Sequence, residues 1–517
     1  MKQPMNKNSN AGTPRDGGKL IVLTASKIEM NDFRLNPFLA FSGGFPPLFP
    51  KPVYEKIFYG PPRYNGDGTA KFAPYGLRKV EALLAKEFGA DNVATVHPQN
   101  LCKFVGPNTK VVGISTMDPL GTGFVSRTYT SILGLSGKPW TQIEFENLLR
   151  DPALRRHKPG IIVGGSGAWQ IPDANLQGEL GIDTVVVGKA ESSVTEIFRR
   201  AIASEQNDKI ITAETGNEQI PVIEKPSLYG TVEITRGCGK GCAFCSVTTT
   251  KPTSLPLDNI MKEVELNAEN GTEMILLQTD DFFLYKTNRR FVPNKKAIVE
   301  LIRSVDKANG VKYVQIAHSS LAPIIHDKSI IEEIAPTLVE KSVWHRSSER
   351  CASIEVGVET GSTRLMRKYM RGKALPYEPE RWREIVAEAI GMLNDNGVYP
   401  LATLIIGLPG EDEADVLATL ELLDKLKRMK VYYVPLLFTS EEESALKRRS
   451  HKQLRDLGEA QWSIVLRCWR SNLDLWYPKF RPLAPIGSVL AYPHMRLRHG
   501  KQVTRPLARF GFRSTRG

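Results

Sequence analysis

Short apolar runs alternate with amphipathic stretches along most of the chain. "LIVLTA" (20–25), "NVATVH" (92–97), "KVVGIST" (110–116), "GIIVGGSG" (160–167) and "DTVVVGKAE" (183–191) are too short and too rich in β-branched residues for helices. Between them, "YGLRKVEALLAKEFGA" (75–90) carries apolar residues at helical spacing. Strands that are apolar on both faces and alternate with helices predict a parallel, doubly wound sheet over residues 19–202. Residues 203–229 break the pattern with polar residues, Gly and Pro, and read as a linker with room for a small hairpin. A second series follows at 230–237, 273–281, 311–319, 352–360, 399–409 and 432–440, with helical segments between. Six βα units in a row predict a full or partial parallel barrel over 230–440, with function at the strand ends. Residues 441–517 read as a helical extension and a basic tail, and residues 1–18 as a disordered lead.

Composition narrows the class. The chain has 517 residues, enough for two or three domains, with 41% hydrophobic and 24% charged residues, as in ordinary globular proteins. No apolar run reaches the roughly 20 residues of a membrane span. The N-terminal stretch lacks the apolar core of a signal peptide, so a cytoplasmic protein with no membrane contact is expected. The net charge of +13 is uneven: from Leu475 onward there are nine Lys or Arg and no acid. Such a tail suits a solvated or disordered segment, or contact with RNA or an acidic protein surface. Its few aromatics offer no obvious stacking platform for RNA.

Six cysteines in a chain of this size, three of them clustered, argue for a metal site rather than a disulfide framework. Cys238, Cys242 and Cys245 lie where the first strand of the second series ends, in "EITRGCGKGCAFCSV", with Gly237, Gly239 and Gly241 around them. A structural zinc site usually takes four ligands. Three thiolates on a four-iron cluster leave one iron open to substrate or cofactor. Zinc completed by a distant His, or three unrelated buried thiols, are the alternatives.

The spacing C-x-x-x-C-x-x-C, with Phe244 before the last cysteine, resembles the signature of the radical S-adenosylmethionine enzymes, which use a partial barrel of six βα units. The resemblance implies a [4Fe–4S] cluster on the three cysteines and S-adenosylmethionine on its open iron. It implies further roles along the later strands. In "QTDDFF", Asp280 and Asp281 stand where the family holds the amino end of S-adenosylmethionine. In "VGVETGSTRLMRKYMRGK", Glu359 would face its ribose or methionine part. In "LIIGLPGEDEAD", Gly407, Pro409 and Gly410 resemble the adenine-cradling turn. His318 is equally suited to cofactor, substrate or structure.

The front domain resembles the cobalamin-binding domain of the cobalamin-dependent members. "GISTM" (113–117) matches the serine motif, with Ser115 and Thr116; "VGGSG" (163–167) matches the double-glycine motif, with Gly164, Gly165 and Ser166; "VVVGKAE" (185–191) ends in the acidic Glu191. One feature departs: the loop after the first strand has no cobalt-ligating histidine, and the first histidine of the chain is His97. Both cofactors together imply radical C-methylation, with ferredoxin or flavodoxin as electron donor and a protein or small molecule as substrate. "NPFLAFSGGFPPLFPK" and neighbouring segments resemble a narrower group that includes the glutamine C-methyltransferase of methyl-coenzyme M reductase. Other reaction types on this scaffold are small-molecule biosynthesis and tRNA methylthiolation. The latter enzymes resemble this chain in barrel and tail but carry three further cysteines in a front domain that here has only Cys102. A non-catalytic cobalamin or iron–sulfur sensor is the rival outside enzymology. Cys351 and Cys468 read as structural, and no substrate-side acid or base stands out.

Overall fold

A computed structural model describes residues 17–133, 137–205, 208–216, 219–288, 290–346, 348–441, 444–447 and 456–512. The expected disordered lead lies, up to residue 16, outside them. The chain forms two compact units: Met1–Ser126 with Leu135–Leu228, and Arg127–Gly134 with Tyr229–Gly517.

In the first unit, β1 (Ile21–Ala25), β2 (Val93–Thr95), β3 (Val111–Ser115), β4 (Gly160–Gly164), β5 (Thr184–Gly188) and β6 (Ile210–Ala213) form one sheet of order β2-β1-β3-β4-β5-β6. Every pair is parallel. The side-chain period of two sends alternate residues to opposite faces. Val22, Val112, Ile161 and Val163 pack with Phe145 and Leu154 on one face. Ile21, Leu23, Val111 and Ile162 pack with Leu77, Leu84 and Phe198 on the other. Fully burying each such side chain is worth roughly 1.5–3 kcal/mol, so a sheet covered on both faces explains the unbroken β-branched runs. Gly113 is needed inside β3, because a Cβ there would lie 2.7 Å from Leu23 and 2.8 Å from Phe198. The structure differs from expectation at 203–229. That stretch supplies β6, which pairs Ile210–Ala213 with Val185–Gly188 and belongs to the first unit. Its exposed alternate residues mark an edge strand, whose polar pattern hides it among linker-like residues.

The second unit holds the six βα units. Strands β7 (Thr231–Glu233), β8 (Met274–Gln278) and β9 (Tyr313–Ile316) form a sheet of order β9-β8-β7. A second sheet, β10-β11-β12-β13, is built from His318–Ser319, Glu355–Glu359, Leu401–Ile406 and Tyr432–Leu437. Only Ala317 separates β9 from β10, so the third strand runs from one sheet into the other. All of these pairs are parallel, which makes an open arc of six parallel strands, a partial barrel.

The last strand, β13, is not left with a bare edge. The Asn472 side chain accepts from Tyr433 N (2.8 Å) and donates to Tyr433 O (2.7 Å), and Thr128 Oγ1 accepts from Leu437 N at 2.9 Å. Trp476 Nε1 donates to Val431 O. Helix Glu459–Trp476 thus satisfies backbone groups that a seventh strand would otherwise take. Beyond it the C-terminal region is helical, as the fold class expects, and not a disordered tail over Ala484–His499 and Thr504–Gly511. No helix among the described residues is long and apolar enough to cross a membrane.

Candidate functional site

The cysteine loop leaves β7 through a two-residue ribbon in which Thr235–Arg236 pairs antiparallel with Thr253–Ser254. Gly237, Gly239 and Gly241 take φ of 80°, 68° and 74°, a region that other residues enter at a cost. At Gly237 a Cβ would also meet Thr250 O at 2.6 Å. The loop is pinned at four points. Gly237 N donates to Asp280 Oδ2 at 2.6 Å. Lys240 Nζ sits 2.6 Å from Asp281 Oδ2 and 2.6 Å from Ser320 Oγ. Cys242 N donates to Thr248 Oγ1. Ala243 N donates to Tyr369 O at 2.7 Å, beside the half-buried Phe244. Gly372 lets the segment after β11 lie against the loop, for a Cβ there would meet Lys240 O at 1.9 Å.

Burial pushes the thiols up, Cys238 to about 11 and Cys245 to about 12, and Cys242 upward as well. The three feel one another's charge, and two ammonium groups oppose burial: Lys240 acts on Cys238 and Cys242, and Lys373 on Cys242. Three thiols on one glycine-rich loop with two buried cations fit an anionic thiolate cluster. Among the described residues, no group of three or more His, Cys, Asp or Glu side chains is arranged to hold a single metal ion.

The two aspartates expected to hold the amino end of S-adenosylmethionine both bond the cysteine loop. Asp281 Oδ2 accepts from Lys240 and Ser320, and Oδ1 from Ser320 N and Phe283 N. Lys240 and Asp281 side chains are each 2% exposed. Burial raises the Asp281 carboxyl, yet Lys240 holds it below the ordinary range. Asp281 is therefore an anchor of the cysteine loop, and Asp280 ties the same loop through Gly237.

Glu359 ends β11 in the left-handed region, φ 62°, just after a register shift against β12. A non-glycine residue there is strained, and such strain gathers at functional sites. Its Oε1 lies 2.6 Å from Lys373 Nζ, and its Oε2 accepts from Thr403 at 3.3 Å. Burial alone would lower Lys373; Glu359 beside it, helped by Cys242, raises it instead. Gly357 leaves room for the pair, since a Cβ would fall 2.0 Å from Glu359 Oε1 and 2.3 Å from Lys373 Nζ. His318 Nδ1 lies 3.0 Å from Asp280 O, and burial, then Lys373, keeps it below its ordinary pKa.

After β12, Gly407 and Gly410 take φ of 82° and 76°. Gly407 N donates to Glu411 Oε2, which also accepts from Gln461 of helix Glu459–Trp476. Tyr369 OH donates to Pro409 O at 2.6 Å. Tyr369 therefore joins the cysteine loop, through its backbone, to the glycine turn, through its hydroxyl. Lys240, Lys373 and Tyr369 were not singled out by sequence. Lys240 stood in plain view inside the cysteine motif, but its partners and those of Tyr369 lie in distant loops, and Lys373 meets Glu359, 14 positions back.

In the first unit the predicted residues follow β3, β4 and β5 at the carboxyl edge of a sheet whose order reverses where β2 and β3 flank β1. Ligands bind open α/β sheets at such points. Ser115 ends β3, and its hydroxyl makes no hydrogen bond with a described residue. Thr116 is buried, and its hydroxyl donates to Glu29 Oε1. Gly164 O accepts from Thr116 N. Gly165 has φ 102°, and its Cβ would meet Thr116 O at 2.4 Å. Ser166 is exposed, and Glu191 follows β5, half-buried. The buried hydroxyls of Ser26 and Thr95, beyond β1 and at the end of β2, have no hydrogen-bond partner among the described residues. These unspent polar atoms beside a glycine-rich edge fit a large polar ligand. Sequence gave no sign of Glu29. It fills the loop after β1, accepts from Met117 N at 2.7 Å, and burial raises it to about 7.

The Radical SAM superfamily profile matches residues 232–423. A tRNA-2-methylthio-N(6)-dimethylallyladenosine synthase from Thermus thermophilus is 27% identical over 302 residues, 57% of this chain and 59% of that protein. One from Opitutus terrae is 24% identical over 328 residues, 61% of this chain and 64% of that protein. The chain thus spans less than two thirds of the length of these relatives. Among solved structures, the radical S-adenosylmethionine methyltransferase TsrM from Kitasatospora setae, with cobalamin and a [4Fe-4S] cluster bound, shares the fold. The TM-score is 0.53 at 15% identity, over 81% of this chain and 72% of that one. TsrM with tryptophan substrate and a SAM analog gives 0.52 at 15% identity, over 80% and 73%. The three-cysteine loop and the six-strand arc that carries it lie largely within the matched span, and over residues 232–423 this chain carries a radical SAM domain.

Proposed function

We propose that the chain is a radical S-adenosylmethionine enzyme whose Cys238, Cys242 and Cys245 hold a [4Fe–4S] cluster, and that its first unit binds cobalamin for the C-methylation of an unactivated carbon. The observation that carries this reading is the thiol loop, pinned between two buried ammonium groups inside a partial barrel. Bound together, the cluster and S-adenosylmethionine supply a one-electron cleavage that yields a 5′-deoxyadenosyl radical, and methylcobalamin supplies a methyl group.

The chain's own residues position and shield. Lys240 and Asp281 fix the loop, and Lys373 adds positive charge next to Cys242. Glu359, Gly407, Pro409 and Phe244 are the residues assigned to S-adenosylmethionine. Asp280 acts there through the loop it holds. Ser115, the Gly164–Gly165 turn, Ser166 and Glu191 are assigned to the corrinoid, with Thr116 and Glu29 bracing them. The substrate is a protein side chain, with glutamine the leading case, or a small molecule. Ferredoxin or flavodoxin serves as electron donor in the cytoplasm.

The curated relatives favour a second reading, tRNA modification. The first unit's single cysteine, Cys102, speaks against a second cluster there. The experiment is anaerobic reconstitution with iron, sulfide and hydroxocobalamin, followed by assays for 5′-deoxyadenosine and for a mass gain of one methyl on glutamine peptides. Lone zinc with no sulfide, or no deoxyadenosine, overturns the radical reading. Deoxyadenosine without retained corrinoid overturns the methylation.

A further inference from the structure

The polar groups facing the inside of the arc are nearly all spoken for. Glu233 at the end of β7 holds Arg236 through two bonds of 2.7 and 2.8 Å. His318 bonds Asp280, Glu359 holds Lys373, and Thr403 bonds Glu359. Glu355 is not. It opens β11, in register with His318 on one side and Leu401 on the other. It shares its strand face with Gly357, beside which the Glu359 carboxylate lies. It is only partly buried and forms no hydrogen bond or ion pair with any described residue. Lys373, the cation that acts on it, is already bonded to Glu359. A carboxylate that is partly desolvated and beside a second carboxylate is held at a cost that an incoming donor would reduce. Burial first, then Glu359, raises it to about 7, with Lys373 opposing.

We infer that Glu355 is the substrate anchor of the barrel, the group that receives an N–H donor, amide or ammonium, from the molecule to be methylated. The inference rests on the proposed radical function and names its substrate class: nitrogen-bearing side chains rather than plain hydrocarbon or anionic ones. Its neighbours suit that role. Gly357, next on the same face, brings no side chain into the space, and Thr403 and His318 line the adjoining strands. An incoming cation or amide would satisfy the carboxylate and offset its repulsion from Glu359. A carboxylate or phosphate substrate would meet two like charges.

The test uses the full, reconstituted chain at pH 8, where Glu355 is ionised, with pentanamide and 2-hexanone as probes of the same size. Both carry the same alkyl chain and carbonyl, so the comparison isolates the N–H donor. Calorimetry reads their binding. A charged acceptor makes a hydrogen bond worth roughly a tenfold to hundredfold preference for the amide-bearing probe. Glu355→Gln should reduce the preference to within about threefold, and Glu355→Asp should keep part of it. Iron content and melting temperature of each variant report whether the fold is intact. Glu355→Asp carries the comparison if the first variant loses its cluster. Equal binding of both probes by the wild type, or an unchanged preference in Glu355→Gln, overturns the inference. The two readings fail separately. Deoxyadenosine production without probe preference leaves the enzyme and removes the anchor. Probe preference without deoxyadenosine leaves a nitrogen-binding barrel and removes the radical chemistry.

Discussion

Replacing Asp281 with Asn separates a loop anchor from a cofactor ligand. In the native chain Lys240 and Asp281 are each 2% exposed, 2.6 Å apart, and joined to Ser320. Asp281→Asn keeps the shape and most hydrogen-bonding capacity but leaves the ammonium without its counter-charge. Breaking one side of a buried pair costs about 3–5 kcal/mol. If the barrel unit unfolds as a whole, that is a fall of roughly 6–20 °C in melting temperature. The double variant Lys240→Met with Asp281→Asn has no buried cation to strand. It should recover part of the stability, giving a coupling well above the additive expectation. The assay pairs a thermal melt with iron and sulfide content after anaerobic reconstitution, and with S-adenosylmethionine binding per intact cluster. The anchor role requires lower stability and iron content, with binding per cluster nearly unchanged. A variant that melts like wild type, keeps its iron and binds S-adenosylmethionine far more weakly would refute it and restore Asp281 as a cofactor ligand.

Further expectations concern the rest of the two units. Asn472→Ala should orphan the N–H and C=O of Tyr433, lowering stability by about 2–4 kcal/mol and speeding exchange of the Tyr433 amide. Gly372→Ala should force the segment off Lys240 O, 1.9 Å from the new Cβ, and reduce iron content without removing a thiol. Glu29, near 4.5 unfolded and about 7 folded, stays protonated in the fold over a range where the unfolded chain has lost its proton. The first unit should therefore lose stability as pH rises from about 4.5 to 7. Glu29→Gln should flatten that profile and stabilise at pH 8 by at most about 3 kcal/mol, read by urea melts at each pH. Because burial holds Cys238 near 11 and Cys245 near 12, iron loading must release protons, so apparent iron affinity should climb between pH 7 and 9. An affinity independent of pH would contradict thiolate ligation.

Much of the fold that carries the cysteine loop was legible in local pattern. The cysteine spacing, the glycines around it and the two strand series are local patterns, readable because strand and turn preferences act over a few residues. The six-unit arc and the parallel front sheet followed from the same periodicity. The motif "GISTM" landed at the carboxyl edge of the sheet as expected. The edge strand β6 escaped because an exposed edge carries no continuous apolar run. The C-terminal helices were obscured by Pro485, Pro493 and a string of arginines that resembles a free tail.

The chain taken alone determined where the thiols stand and which strands surround them, since both are written in spacings of two to eight residues. Tertiary structure decided what each charged side chain does. Asp280 and Asp281 look equivalent in "TDD", yet one ties down Gly237 and the other neutralises Lys240, 41 positions away. Glu355 and Glu359 stand four positions apart on one strand, but only Glu359 is bonded to Lys373. Such roles depend on which charges meet after the chain has folded and water has been excluded. A buried ion pair gains or loses several kcal/mol according to a partner that no nearby residue reveals.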